Sequence, residues 1–273
     1  MPTLAQCLED GDEGARAAAA EALGQIGPGA ALATDALARA LKDESPRVHR
    51  AVAGTLAEIG PAAHAATPAL VYALQHEDYE TRILAAVALG RIGPQAIEAA
   101  PALTYALSDE SPVMREAAAG ALGSIGPPAA EAVPALVYCL GDEADPVRRA
   151  AAMTLGLVAP GQDTADALLD VLRDENREVR EAAALALSAT GTFAVPGLVQ
   201  ALEDEDWHTR ESAIQALGWI GPEAWEATPG IIHALKDEHP DVRLAAALTL
   251  TMITGEDFGL DGAAWQAWWN AHG

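Results

Sequence analysis

From Leu103 to Ala135 the apolar residues fall into two helical stripes separated by a short polar break. Leu103, Ala106 and Leu107 share one face at helical spacing, and the run Ser108-Asp109-Glu110-Ser111-Pro112 then stops that helix with turn residues. Met114, Ala118, Ala121, Leu122 and Ile125 form a second stripe, closed by Gly126-Pro127. Glycine accepts the left-handed backbone of a helix end, and proline cannot continue a helix. Each unit therefore predicts a hairpin of two helices, A and B. Most of its apolar positions are alanine, so neither helix buries much surface alone, and stacking of neighbours has to build the core.

Edited copies of this unit run along the chain. They start at Leu4, Leu37, Leu70, Leu103, Leu136, Leu168, Leu198 and Ile231, with spacings of 33, 33, 33, 33, 32, 30 and 33 residues. A near-constant period of this size predicts an all-α fold, a right-handed α-solenoid of about eight hairpins occupying 1–255. Regularity is weakest in the fifth and sixth copies, where Val158-Ala159-Pro160 replaces Ile-Gly-Pro and Pro196 arrives three residues early. Residues 256–273 leave the pattern. There Asp261 can cap a short helix that puts Trp265, Trp268 and Trp269 on one face, and this segment is expected to cap the last repeat, covering Leu244, Leu248 and Met252.

The unit resembles the HEAT-like repeats of phycobilisome lyase subunits. The resemblance rests on a turn Asp, an Arg opening helix B, Leu-Gly-x-Ile-Gly-Pro closing it and a Pro before the next helix A, seen as Asp109, Arg115, Leu122 to Pro127 and Pro134. It implies a ladder between repeats joining Asp10, Asp43, Asp109, Asp142, Asp174, Asp204 and Asp237 with Arg16, Arg82, Arg115, Arg148, Arg180, Arg210 and Arg243. His49 stands where the second repeat should have Arg, and His76 where the third should have Asp. A neutral hydrogen bond, between the two imidazoles or from an imidazole to water, is the expected replacement, in preference to a metal site with Glu77 or Asp78.

The resemblance also implies that helix B lines the concave side. Positions two, six and ten residues into helix B vary between copies while the buried ones repeat, which marks a recognition surface. Arg149, Met153, Leu157, Glu181, Leu185, Glu211, Gln215 and Trp219 are its expected members, with the apolar ones as anchors and the charged ones as rim. Tyr72, Tyr105 and Tyr138 recur at one position of helix A and form a second candidate surface, although rings that simply cover the neighbouring helix A are the plainer expectation.

Composition narrows the functions. With 40 acidic against 16 basic residues the net charge is −24, which repels phosphate backbones and anionic headgroups, so neither nucleic acid nor membrane is an expected partner. A protein or peptide is expected instead, and a basic one would suit the charge. The first hairpin has no covering element, which offers self-association as a further contact. No phosphate loop, nucleophile elbow, HExxH or paired CxxC occurs, and only one His-Glu pair, His76-Glu77, is present where a HEAT-like di-iron hydroxylase needs several. No catalytic residue, metal or cofactor is therefore expected. Cys7 and Cys139 occupy small core positions four repeats apart, too far for a disulfide. With no signal peptide and no apolar run of spanning length, a cytoplasmic location is expected. The reading is of a non-catalytic protein-binding scaffold; the alternative implied by the resemblance is a bilin lyase or isomerase-like subunit, or a chaperone holding a tetrapyrrole.

Overall fold

The computed structural model describes residues 2–273, and among them it contains helices and turns but no strand. The architecture is an α-solenoid of stacked helical hairpins. Helix A is short, as in Thr34–Ala40, Thr67–Ala73, Ala100–Ala106 and Val133–Cys139. Helix B is about twice as long, as in Pro46–Ile59, Tyr79–Ile92, Pro112–Ile125 and Trp207–Ile220. Leu23, Leu56, Leu89, Leu122, Leu155, Leu187, Leu217 and Leu250, the same helix B position in successive repeats, are all fully buried. Burying each such side chain contributes about 1.5–3 kcal/mol, so each repeat adds an equivalent increment to the core.

Packing divides the chain into two compact units, one ending at Thr154 and the other spanning Leu155–Gly273. The division falls where the sequence loses its regularity. In the regular repeats helix B ends on a glycine such as Gly60, at φ 66° and ψ −136°. That is not the left-handed helical conformation expected, but it is equally closed to residues with a side chain, which explains why Gly recurs there. The Pro that follows opens a 3-10 helix, for example Gly60–Ala66, whose Ala63 and Ala66 are fully buried. After Val158 there is no such segment, and the next helix, Gln162–Leu169, starts directly from extended Gly161.

The Asp and Arg positions form the ladder in most repeats. Arg115 donates from Nε and Nη2 to the two carboxylate oxygens of Asp142 at 2.7 and 2.8 Å, and from Nη1 to the Asp109 carbonyl at 2.9 Å. Arg16 with Asp43 and Arg210 with Asp237 repeat the geometry, and Arg82 meets Asp109 at 3.3 Å. Each turn Asp also accepts the backbone N–H two residues on, as Asp142 does from Ala144, so one carboxylate closes the hairpin turn and ties it to the preceding repeat. Asp204 departs from the expectation. Its carboxylate is taken by Arg173 at 2.6 Å, while Arg180 donates to the carbonyls of Asp174 and Glu175.

Burial works against ionisation of Asp43, Asp142 and Asp237, but hydrogen bonds from their arginines and turn N–H groups outweigh it and hold all three carboxyls below the usual range. With folded values below the unfolded ones, this stabilisation is complete above the unfolded carboxylate pKa, about 3.9, and is lost as the pH falls from there through the lowered values. Arg115→Met keeps the apolar stem and removes the donors, and should cost about 2 kcal/mol, read as a lowered urea midpoint at neutral pH. The variant should also lose less stability than the parent on acidification below pH ~4. An unchanged midpoint would reduce the ladder to decoration.

Candidate functional site

In the Leu155–Gly273 unit, helix B presents its variable positions to solvent. Leu157, Leu185 and Trp219 are exposed, and so are Leu244, Leu248 and Met252. The last three correct the expectation that the C-terminal segment buries them: Leu248 is 59% exposed. The tail helix, Gly262–His272, starts as expected at Asp261, whose carboxylate accepts from the N–H groups of Ala263 and Ala264. It packs on the other side of the last hairpin, against helix A Thr228–Ala234 and the 3-10 segment Gly221–Ala227. Trp268 and Trp269 meet Trp225 there at ring distances of 5.6 and 5.3 Å. Trp225 offers an aromatic platform on that side, where the rings of the tail pack against it.

Between helix B Trp207–Ile220 and helix B Pro240–Thr254 lies a shallow cleft of about 280 Å³, lined by Glu211, Gln215, Trp219, Leu244, Leu248 and Met252. Its walls are fixed from below. Thr249 donates through Oγ1 to the Ile214 carbonyl at 3.1 Å, and a Cβ on Gly218 would come within 2.8 Å of that hydroxyl oxygen, so the two helices approach closely. Arg210 and Asp237 fix the same pair at the turn end. Gln215 donates to the Glu211 carboxylate at 3.1 Å, and Glu181 is held by Arg177 at 2.8 Å, which sets acidic groups along the edge of an apolar row.

Sequence reasoning put Gln215, Glu211 and Trp219 in this place but left out Leu244, Leu248 and Met252. Their spacing along helix B matches that of the other members and was the available signal. Thr249 was also missed; it belongs to a set, since Thr55 and Thr154 donate in the same way to the Ala20 and Ala119 carbonyls one repeat earlier. The remaining expected members, Arg149 and Met153, lie in the preceding unit. Met153 is exposed, and Arg149 pairs with Glu116 at 3.2 Å.

The tyrosines do not cover their neighbours. Tyr105 is 81% and Tyr138 84% exposed, and Tyr72 is exposed to a smaller extent. Each sits two residues after the buried Leu of its helix A, about 200° around the axis, and so faces away from the stack. Cys139 is buried, which pushes its thiol pKa up, and Cys7 is half-buried; both are free. Among the described residues no group of three His, Cys, Asp or Glu side chains could hold a metal ion. One stretch, Tyr79–Ala106, is long and apolar enough by composition to cross a membrane, contrary to expectation. It is a helix B, a 3-10 segment and a helix A in succession, broken at Gly93 where φ is 73°, with half of its most apolar window buried.

The sequence profile of the HEAT repeats matches in five overlapping segments, 1–71, 67–156, 133–195, 165–225 and 195–259. This chain belongs to the HEAT-repeat family. HEAT-repeat proteins are typically interaction scaffolds, in keeping with an exposed surface that varies over a repeated core. No curated protein matches the chain. A crystal structure of an engineered protein from the Northeast Structural Genomics Consortium matches at 24% identity with a TM-score of 0.61, covering 92% of this chain and 77% of that one, a likeness of fold.

Proposed function

We propose that this HEAT-repeat chain is a non-catalytic scaffold that binds a protein partner on the helix B surface of the Leu155–Gly273 unit. The observation that carries this reading is the run of exposed large apolar side chains, Leu157, Leu185, Trp219, Leu244, Leu248 and Met252, at the variable positions of helix B in this unit. A solvated helix face would be filled with Glu and Lys, and exposed apolar rows edged by charge are the usual composition of interaction sites. Glu181, Glu211 and Asp241 along the edge suit a partner segment that is apolar on one side and basic at its flanks, such as an amphipathic helix.

The test is capture from the native host with the chain and with a Leu185→Glu, Trp219→Ala, Leu248→Glu variant of it. The reading expects a partner retained by the parent and absent from the variant, with both baits equally folded by circular dichroism. A partner retained equally by the two would place the interface elsewhere.

A further inference from the structure

A cleft of about 960 Å³ lies in the unit ending at Thr154, where the ladder is broken. His49 and His76 line it, with ring centroids 4.5 Å apart in an edge-on arrangement. In the regular repeats the residue at the place of His49 is an arginine that reaches both its own turn carbonyl and the next repeat's carboxylate. Imidazole is too short for both, and His76 supplies no carboxylate. His49 is consequently 4% exposed, with neither ring nitrogen in a well-formed hydrogen bond. Leaving a buried polar group unpartnered is costly, and the rest of the ladder shows that an Arg–Asp rung would have avoided it.

We propose that this cleft binds a small organic oxyanion, a carboxylate or a phosphate monoester on an apolar body, whose charged group lies against His49 and His76 where the ladder lacks its carboxylate. The donors around it point to that class. The Nδ1 of His76 accepts from the Asp78 backbone N–H at 3.0 Å, so the neutral ring carries its proton on Nε2 and offers a donor. Lys42 and Arg39 line the same cleft, Arg39 also reaching Glu9 at 3.2 Å on the exposed rim. The single acid in the lining, Asp43, is engaged by Arg16 at 2.6 and 2.9 Å and by the Ser45 N–H. In a chain of net charge −24, a cleft lined by two basic side chains and two imidazoles, with its one carboxylate already neutralised, is set against the prevailing field. Pro68 and Tyr72 provide the wall for the apolar body.

The site carries its own pH dependence. Burial, and next the neighbouring His76, push His49 below its ordinary value, against the pull of Asp43 and Asp78. The free protein therefore holds His49 neutral near pH 7, and an oxyanion that favours the imidazolium must take up a proton on binding. Affinity rises as the pH falls, by up to about tenfold per unit for one linked proton.

Calorimetric titration of the full chain with benzoate and with phenyl phosphate, at about pH 6 and about pH 8 and constant chloride, tests the assignment. Saturable one-to-one binding of at least one probe is expected, at least tenfold tighter at the lower pH, and the tighter probe tells a carboxylate ligand from a phosphate ester. His49→Arg with His76→Asp rebuilds the rung on the pattern of its neighbours; it should keep or raise the urea midpoint and lose binding. Lys42→Gln changes only an exposed side chain and should weaken binding by about three- to tenfold. Absence of saturable binding of either probe at the lower pH overturns the proposal, as does undiminished affinity in the folded double variant or in Lys42→Gln.

Discussion

Trp265→Ala should lower the stability of the Leu155–Gly273 unit by about 3–5 kcal/mol, the range for emptying a large aromatic site. Trp265 is fully buried, although it sits in the last helix of the chain. Its indole Nε1–H donates to the Gly259 carbonyl at 2.9 Å, and Phe258 and Trp268 pack edge-on against its ring at 4.9 and 6.1 Å. Removal leaves a void beneath Gly262–His272 and a carbonyl without its donor, and it loosens the contact of Trp268 with Trp225. Trp265→Phe fills part of the volume without replacing the hydrogen bond and should fall between the two. Thermal melts followed by far-ultraviolet circular dichroism read the effect. A loss below about 1 kcal/mol, the size expected of a surface change, would show that the tail is not part of the core.

Trp219→Ala and Leu248→Ala should have the opposite profile. Trp219 is 46% exposed and Leu248 more so, and changing either should move folding stability by less than about 1 kcal/mol. Because the two flank one cleft, each should cost a captured partner about 2 kcal/mol or more, roughly thirtyfold in Kd. Titration of the purified partner against the two variants, beside their urea midpoints, separates the effects. A large stability loss with unaltered affinity would place both residues in the core and not at an interface.

The repeat period made the hairpins legible, because Leu122 and its equivalents can be buried in only one way once neighbours stack. The ladder was legible through the resemblance to HEAT-like repeats, which gives a pairing role to the Arg and Asp that recur at fixed places. Asp204 escaped because the sixth repeat is short, which lets Arg173 of the preceding turn reach it. The 3-10 segments were read only as helix stops; their buried alanines look like linker composition until the positive-φ glycine turns them back into the stack. The tail was placed on the wrong side of its hairpin, since three tryptophans on one face announce burial without naming the surface they meet. That surface is Trp225, one aromatic in a segment otherwise read as a turn. Exposure of Leu244, Leu248 and Met252 followed from the same error, and it enlarged the recognition surface that the variable positions had outlined.

Hydroxyl-radical footprinting of the chain, free and with its captured partner, tests the central claim most directly, because Trp and Met side chains report their own access to solvent. The account predicts that Trp219 and Met252 oxidise readily in the free protein and are protected together in the complex, while exposed Tyr105 and Tyr138 react equally in both states. Protection of the tyrosines with Trp219 and Met252 unchanged would contradict it and move the interface to helix A.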